Sequence, residues 1–439
     1  MTDQTGQARG PLEGSPLEGT LVVDLSRALA GPHAGMMLGD LGARVIKVEN
    51  PNGGDDTRCW GPPFVETIVD PPEGRESTYF LSCNRNKESV TLDLKDNADR
   101  QILRELLRRA DVLIENFRPG TLDRLGFDPE TLEELNPRLV ILSISGFGHD
   151  GPEGQRAGYD QIAQGEAGLM SLTGSGPDDP QRVGVPIGDL LAGIHGAYGV
   201  LAALLERERT GRGQVVRTSL LASIVSVLAF QGTRWTLGGQ VPRAQGNHHP
   251  SIAPYGLFRC ADGSVQIAVG SEGLWTRFAD AFGLDRADPR WASNASRVGH
   301  RAELVAAVEE AFASYGSEEL LAKLDAAGVP AGRVRSLDEV FAWEQARSQH
   351  LALELDHPTL GRIEVPGGPL RYFRPDGTET TRLAHTPPPR LGEHQDAVRA
   401  WLAGFPCRPT ADSAGSVLVA AQAGTHAATQ AGTRAGARP

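Results

Sequence analysis

The sequence predicts an α/β protein with a large domain built on a doubly wound sheet and a smaller α+β domain. Three observations support this prediction. Strand patterns alternate with helix patterns from Thr20 to Ser145, and this alternation is typical of a parallel sheet covered by helices on both faces. From Gly246 onward the pattern changes to a hairpin followed by consecutive helices. The chain has 439 residues, and a chain of this length is expected to form more than one hydrophobic core.

The large domain is predicted over residues 18–222, after a polar leader at residues 1–17 that we expect to be disordered. Its first strand begins at Thr20, and a glycine-rich helix with Pro32 in its first turn leads to a second strand, which makes a right-handed βαβ unit. The segments that repeat this pattern are SVTLDL, the helix from Ala98 to Ala110, DVLIEN, a short helix at 129–135 and RLVILSIS. This order predicts a Rossmann-like sheet whose ligands bind beyond the carboxyl ends of its strands.

Two further helical stretches complete the large domain. One covers residues 158–174 and is rich in small side chains, and the other is long and apolar and begins beside Asp189. The turn TGRGQ ends the second helix, because Gly211 or Gly213 can adopt the left-handed conformation that stops a helix. The strand QVVRTSL follows this turn.

The second half of the chain is predicted to leave the large domain and to return to it. Residues 223–245 form a linker, residues 246–330 the small α+β domain and residues 331–405 the return. Within the small domain, Ala261-Asp262-Gly263 is a hairpin turn between alternating strands. Its helices are predicted at 272–283, 300–314 and 317–327, and the return carries the strand patterns ALELDHP and GRIEVPG. Residues 406–439 are mostly Ala, Gly, Thr and Ser, and we expect this tail to be disordered.

Composition and charge argue against several classes of function. The formal net charge is −12, from 43 basic and 55 acidic residues, and no basic run appears, which disfavours nucleic acid as a partner. The four cysteines are scattered without metal-ligand spacing, so we expect neither a metal site nor a disulfide framework. No signal-like or uninterrupted apolar stretch of membrane-spanning length is found, so we expect a cytoplasmic protein without a membrane partner.

The glycine-rich stretch after RLVILSIS matches the dinucleotide motif only formally. Gly146-Phe147-Gly148-His149-Asp150-Gly151 has the GxGxxG spacing, but Pro152, Glu153 and Gly154 follow where a helix should open. We therefore interpret it as a loop that lines a pocket, and not as a nicotinamide site. The P-loop, zinc-protease and serine-hydrolase motifs are absent from the sequence.

Asp189 stands at the start of the long apolar helix, directly after Gly188. A carboxylate in this position can cap the free N–H groups of the first turn and gains from the positive end of the helix dipole. It can equally be a nucleophile placed at the edge of an apolar pocket. The residue types alone leave both readings open.

The chain resembles the class III CoA-transferase family, which includes formyl-CoA transferase, carnitine CoA-transferase and α-methylacyl-CoA racemase, from about Leu17 to Leu402. The segments that carry the resemblance are, in order, VVDLSRALAGPHAGMMLGDLGARVIKVE, GGDDTR, FLSCNRNKESVTLDLK, ENFRPGTLDRLGF, GYDQIAQGEAGLM, GVPIGDLLAGIHGAYG, TGRGQ and GNHHPSIAPYG. Each segment alone is weak, but their common order is specific.

The resemblance implies an enzyme that moves CoA from an acyl-CoA to a free carboxylic acid. The family's nucleophilic aspartate falls on Asp189, which would form a mixed anhydride and then an aspartyl-CoA thioester. CoA and acyl-CoA are substrates in such a reaction, and no tightly bound cofactor and no ATP are required. The resemblance also implies a homodimer whose two chains are interlocked.

The family's CoA-binding positions fall on residues spread over two stretches of this chain. The resemblance assigns Asn116, Phe117 and Arg124 to the nucleotide, with Leu92 and Lys95 on the wall near the adenosine. Basic side chains flanking phosphates make electrostatic sense.

This sequence departs from formyl-CoA transferase at two positions. Asn50 and Ala157 stand where that enzyme has basic residues, and Arg156 is a possible substitute for the second.

The expected substrate pocket is formed by residues from three further motifs. Gly146 and Gly148 are candidate backbone donors to an oxyanion. Tyr159 and Asp160 begin the GYD string, and His248 lies in GNHHP at the entrance of the small domain. His195 lies six residues after Asp189 and off its helical face, so we interpret it as a packed side chain.

Two alternatives remain at this stage. A racemase needs two opposed acid–base groups, and the racemases of the family pair their aspartate with a histidine in a GHD string, where this chain has Tyr159. A tyrosine with a pKa near 10 is a poor base at neutral pH, which disfavours racemisation. The second alternative is an acyl-CoA-binding protein without catalytic activity. The sequence does not identify the acyl group.

Overall fold

The computed structural model describes residues 15–69 and 74–404. The predicted tail and residues 1–14 of the predicted leader lie outside this part of the chain. The strands of the first half are β1 (Leu21–Asp24), β2 (Arg44–Glu49), β3 (Phe64–Glu66), β4 (Arg75–Ser77), β5 (Lys87–Thr91), β6 (Val112–Glu115), β7 (Val140–Ser145) and β8 (Val215–Ser219). The helices of this half are α1 (Ala30–Asp40), α2 (Thr78–Ser82), α3 (Asn97–Arg109), α4 (Thr121–Arg124), α5 (Pro129–Leu135), α6 (Asp160–Glu166), α7 (Ile187–Thr210), α8 (Leu220–Ser226) and α9 (Ala229–Thr236).

Six strands form a parallel sheet in the order β5-β2-β1-β6-β7-β8. The chain builds the sheet outward from β1 to β5, then returns to the other side of β1 and continues through β6 to β8. The strand order therefore reverses between β1 and β6, and in an open α/β sheet such a reversal leaves a crevice for ligands at the carboxyl ends of the strands. The predicted α/β class and parallel sheet are confirmed.

Apolar residues alternate along the strands and build a core on each face of this sheet. Val22, Val112 and Leu142 pack on the side of α1 and α7. Val23, Ile46 and Leu113 pack on the other side, where α3 and α5 lie.

The long helix α7 carries Asp189 in its first turn and has a left-handed stop at Gly211 (φ +73°). By length and composition it could cross a membrane, and 44% of its most apolar window is buried inside the structure. It packs against α1, β7 and β8, as a core helix of an α/β domain does.

A second, smaller sheet lies in the other half of the chain. Its strands are β9 (Tyr255–Cys260), β10 (Gly263–Ala268) and β11 (Ala331–Arg333), and the helices beside it are α10 (Glu272–Phe282), α11 (Asn294–Gly299), α12 (Arg301–Phe312) and α13 (Ser317–Ala326). The predicted hairpin is confirmed, because Cys260 pairs with Gly263 across a two-residue turn. Aromatic side chains, among them Phe258, Phe278 and Phe312, fill a separate core.

The chain then returns to the parallel sheet. The elements of this last segment are α14 (Leu337–Ala342), α15 (Glu344–Ser348), β12 (Ala352–His357), β13 (Gly361–Pro366) and α16 (Gln395–Ala403). Asn86 donates its backbone N–H to Thr386 (3.0 Å), and Thr91 donates its own to the side chain of Gln395 (2.7 Å). Val398 of α16 joins the core beside α3.

Two sequence predictions about local structure were wrong or incomplete. The helix predicted over residues 158–174 is broken, because Gly168 adopts a left-handed conformation (φ +81°) and only a short 3₁₀ turn follows it at Leu169–Leu172. The segment between β2 and β5, for which we predicted no element, contains β3, β4 and α2. This excursion supplies two side chains to the site described next.

Candidate active site

A cavity of about 400 Å³ opens at the carboxyl end of the parallel sheet, where the strand order reverses. The loops after β1, β6 and β7 and the start of α7 form its walls. The predicted site residues that line it are Asn116, Phe117, Gly146, Tyr159, Asp160 and Asp189. The side chains lining it that sequence analysis did not assign to a site include Arg27, Asp56, Trp60, Tyr79, Arg118 and Arg182.

Asp189 presents its carboxyl group to this cavity from the first turn of α7. Among residues 15–69 and 74–404, none donates a hydrogen bond to that carboxyl group. Burial raises the pKa of Asp189 to about 7, and the neighbouring carboxylate of Asp160 adds to the increase. Desolvation and a like charge both penalise the ionised form. Both effects act against the positive end of the helix dipole, which favours the ionised form.

The cap of α7 comes from Asp160 and not from Asp189. Asp160 Oδ1 accepts a hydrogen bond from the N–H of Gly188 (2.7 Å) and a longer one from that of Asp189 (3.4 Å). Its Oδ2 accepts from Gln164 Nε2 (2.7 Å), and Gln164 Oε1 accepts from the N–H of Val183 (2.9 Å). Pro186 at the N-cap has no side-chain hydrogen bond to the helix. A carboxylate from α6 thus satisfies the free N–H groups of α7 and fixes the turn that carries Asp189.

Trp60 and Tyr79 form an aromatic part of the cavity wall, and their rings meet edge to face at 5.1 Å. Burial raises the pKa of Tyr79, and the charge of Asp189 raises it further. Tyr79 is therefore a neutral phenol with an O–H to donate. Both residues come from the excursion between β2 and β5, where sequence analysis assigned no site residue.

Four arginines line the cavity, and two of them have acidic partners. Arg27 lies 3.5 Å from Asp56. Arg156, the possible substitute for the missing basic residue, bonds Glu166 (2.5 Å) and lies 3.5 Å from Glu153.

Arg118 and Arg182 have no carboxylate within 4 Å in the described part of the chain. Among the four cavity arginines, these two are the ones that no described carboxylate balances.

Asn116 ties two loops of the cavity together. Its Oδ1 accepts from the N–H of Arg27 (2.8 Å), and its Nδ2 donates to the carbonyl of Arg27 (2.7 Å). Phe117 lies under the Arg27 guanidinium, 5.7 Å from ring centre to Cζ. The loops after β1 and β6 are therefore held as one wall.

The predicted oxyanion donors differ in their surroundings. Gly146 lines the cavity, and a Cβ there would lie 2.8 Å from the backbone nitrogen of Gly158, so only glycine fits. Gly148 does not line it, and its N–H donates to Ser145 Oγ (3.0 Å).

The remaining predicted residues lie away from the cavity around Asp189. Leu92 is buried in the core beside α3, and Lys95 is exposed at the surface. Arg124 lines a neighbouring groove together with Arg100 and Arg104.

His248 of the small domain and His195 of α7 also lie outside the cavity around Asp189. His248 packs edge to face on Phe258 at 5.4 Å. His195 is half-buried on α7. The part of the chain that the structure describes contains no group of three His, Cys, Asp or Glu side chains suited to a metal ion.

Comparisons with known proteins agree with this arrangement. Residues 17–395 match the model of CoA-transferase family III. The chain is 40% identical over 396 residues to the succinate–glutarate CoA-transferase of Agrobacterium fabrum, covering 88% of this chain and 96% of that protein. It is 40% identical over 381 residues to the succinyl-CoA:glutarate CoA-transferase of Mus musculus, covering 86% and 84%.

A solved structure shows the same fold. The crystal structure of a CaiB/BaiF family protein from Brucella suis superposes with a TM-score of 0.77 and 40% identity, covering 88% of this chain and 99% of that one. The family match over nearly the whole described chain, together with the cavity at the reversal of strand order, shows that this protein belongs to CoA-transferase family III.

Proposed function

We propose that this enzyme exchanges CoA between an acyl-CoA and a free carboxylic acid through a covalent intermediate on Asp189. The observation that supports the proposal is the state of that side chain: it is a desolvated carboxyl group to which no described residue donates a hydrogen bond, held on a capped helix turn at the cavity. An ionised carboxylate without donors keeps its lone pairs free to attack.

The reaction proceeds by carboxylate–thioester exchange. A carboxylate oxygen of Asp189 attacks the thioester carbonyl, the C–S bond breaks, and the CoA thiolate leaves behind a mixed anhydride. The thiolate then attacks the Asp189 carbonyl carbon, which releases the first acid and leaves an aspartyl-CoA thioester. The acceptor carboxylate repeats these steps in reverse order. Overall, one thioester and one carboxylate are consumed and one thioester and one carboxylate are formed, so the exchange consumes no ATP.

Positioning supplies most of the catalysis in this scheme. Carboxylates are weak nucleophiles in water, but a fixed carboxylate in contact with the thioester gains a large effective concentration. The N–H of Gly146 and the O–H of Tyr79 are our candidates for stabilising the oxyanion that forms on the carbonyl oxygen.

The pH dependence follows from the pKa of Asp189. Because only the ionised carboxylate attacks, kcat/KM of the wild type should rise with pH through a midpoint near 7. Asp160→Asn retains an oxygen that can accept from Gly188 but removes the like charge, so its midpoint should shift to lower pH. Stopped assays of CoA transfer between pH 5 and 9 measure both midpoints. An unchanged midpoint in Asp160→Asn would show that Asp160 does not act on Asp189 electrostatically.

We propose a dicarboxylic acid as the substrate class. The similar enzymes from Agrobacterium fabrum and Mus musculus are named for succinate or succinyl-CoA and glutarate, and the cavity contains two arginines for which residues 15–69 and 74–404 supply no carboxylate partner. Incubation with succinyl-CoA and a panel of free acids, followed by mass spectrometry, should show CoA transfer to dicarboxylic acids. The racemase alternative predicts deuterium exchange at the α carbon of a 2-methylacyl-CoA, and we expect none.

For CoA itself, we propose a path from the cavity to the neighbouring groove. Arg27 and Arg118 lie in the cavity, and Arg124 lies in the groove with Arg100 and Arg104. Guanidinium groups suit the phosphates of CoA. These arginines would compensate for the basic residues missing at positions 50 and 157.

We propose that the protein is a homodimer with interlocked chains, as the resemblance implies. We also propose that it is located in the cytoplasm. Large apolar side chains are exposed on α7 and around α9, including Tyr198 (72%), Leu205 (70%), Trp235 (57%) and Leu237 (85%). Exposed apolar side chains in this number are typical of a surface covered by a partner. Sedimentation of the full chain as a monomer at micromolar concentration would contradict this proposal.

A further inference from the structure

Arg182 lies on the loop before α7, seven residues upstream of Asp189, and lines the same cavity. Its Nη1 donates to the carbonyl oxygens of Val183 and Gly184, both at 3.1 Å. No residue in the described ranges accepts a hydrogen bond from Nε or Nη2. These two nitrogens form the edge of a guanidinium that grips a carboxylate with two parallel hydrogen bonds.

The hydrogen bonds that cap α7 also hold the loop carrying Arg182. The amide oxygen of Gln164 accepts a hydrogen bond from the N–H of Val183, the residue after Arg182. The amide nitrogen of Gln164 donates to Asp160. Asp160 in turn holds the N–H of Gly188. The backbone next to Arg182 and the turn at Asp189 are therefore held by the same two side chains.

A dicarboxylic acid brings one carboxylate that reacts and one that does not. The second must leave water and enter a cavity that already contains Asp160 and Asp189, which is costly unless a cation receives it. Arg27 and Arg156 have acidic partners, whereas Arg182 has none in the described part of the chain. We propose that Arg182 binds the remote carboxylate of the dicarboxylic acid and so selects dicarboxylic over monocarboxylic substrates. This inference rests on the function proposed above.

Arg118 also has no carboxylate partner among the residues that the structure describes, but it directly follows Asn116 and Phe117 in the stretch assigned to the nucleotide. We therefore leave Arg118 to the CoA phosphates and assign Arg182 to the acid. If Arg182 bound a phosphate of CoA instead, its loss would raise the KM for every acyl-CoA whatever the acid.

The test compares two acceptors of equal chain length with the same acyl-CoA donor. Glutarate has a remote carboxylate, and pentanoate has a methyl group in its place. In Arg182→Gln, the ratio of kcat/KM for glutarate to that for pentanoate should fall about tenfold or more, as expected for the loss of charge-assisted hydrogen bonds from a solvent-exposed guanidinium. Arg182→Lys should restore part of the ratio. Arg212→Gln, on the turn that enters β8 at the amino end of that strand, should leave the ratio unchanged.

Charge reversal gives a gain of function that a merely structural role cannot produce. Arg182→Glu should accept 5-aminopentanoate better than glutarate. An equal loss for both acceptors in Arg182→Gln, or a KM increase confined to acyl-CoA, would show the inference to be wrong while the proposed function stands. The inference and the proposed dicarboxylic substrate class both fail, and CoA transfer through Asp189 survives, if the wild type uses glutarate and pentanoate equally well. Failure of the wild type to transfer CoA to any acid overturns the proposed function and the inference with it.

Discussion

Replacing Asp189 by asparagine or alanine should lower CoA transfer by at least about three orders of magnitude, as loss of a covalent nucleophile does. The amide of asparagine fills the same volume but cannot form the anhydride, so the loss reflects chemistry and not packing. CoA binding should persist, because the arginines assigned to CoA lie on other loops. Calorimetry with CoA and a coupled transfer assay measure the two effects separately.

The covalent intermediate can be observed directly. Wild-type protein mixed with succinyl-CoA and digested should yield a peptide containing Asp189 whose mass is increased by CoA, and the Asp189→Asn variant should not. Asp56→Asn is a matched control, because this carboxylate lines the same cavity but is paired with Arg27. We expect its activity to stay within about tenfold of the wild type. An acyl-CoA-binding protein without catalysis would show no adduct and no effect of Asp189→Ala.

Replacing Lys87 by methionine should destabilise the parallel-sheet region by about 3–5 kcal/mol, as breaking a buried ion pair does. The ammonium of Lys87 is fully buried and donates to Asp24 (2.9 Å), to the carbonyl of Pro32 (2.7 Å) and to Asn84 (2.9 Å). Burial opposes ionisation of Asp24, but Lys87 and Lys47 outweigh it and hold the pKa of that carboxyl group below its usual value. Without Lys87, Asp24 loses its nearest counter-charge.

Urea unfolding followed by circular dichroism tests this prediction. Lys95→Met, at an exposed lysine, is the control and should change the free energy of unfolding by less than about 0.5 kcal/mol. The double variant Asp24→Asn/Lys87→Met should cost less than the two single variants together, because it leaves no unpaired charge. A loss below about 1 kcal/mol for Lys87→Met would show that the pair is not strongly coupled. The same network anchors the loop after β1, which carries Arg27 to the cavity.

Much of the fold could be predicted because it depends on local patterns. Buried strands such as RVIKVE can be recognised from a few neighbouring residues. The same holds for helices such as α3, which is capped by Asp96 and ends in Arg108 and Arg109. The excursion that carries Trp60 and Tyr79 could not be predicted, because its strands have three residues each and no clear alternation. The break at Gly168 could not be predicted either, because a glycine in a helix pattern can adopt the right-handed helical or the left-handed conformation.

The sequence by itself determined the α/β class, the hairpin of the second half and, through the order of its motifs, the family and the identity of Asp189 as the candidate nucleophile. Only the tertiary structure decided how that residue is held and charged. Asp160 caps α7 from another helix, burial raises the pKa of Asp189, and Arg182 reaches the cavity without a carboxylate partner among the described residues. The physical reason is that pattern and propensity act over a few neighbouring residues. Desolvation and ion pairing depend on which distant segments the fold brings together.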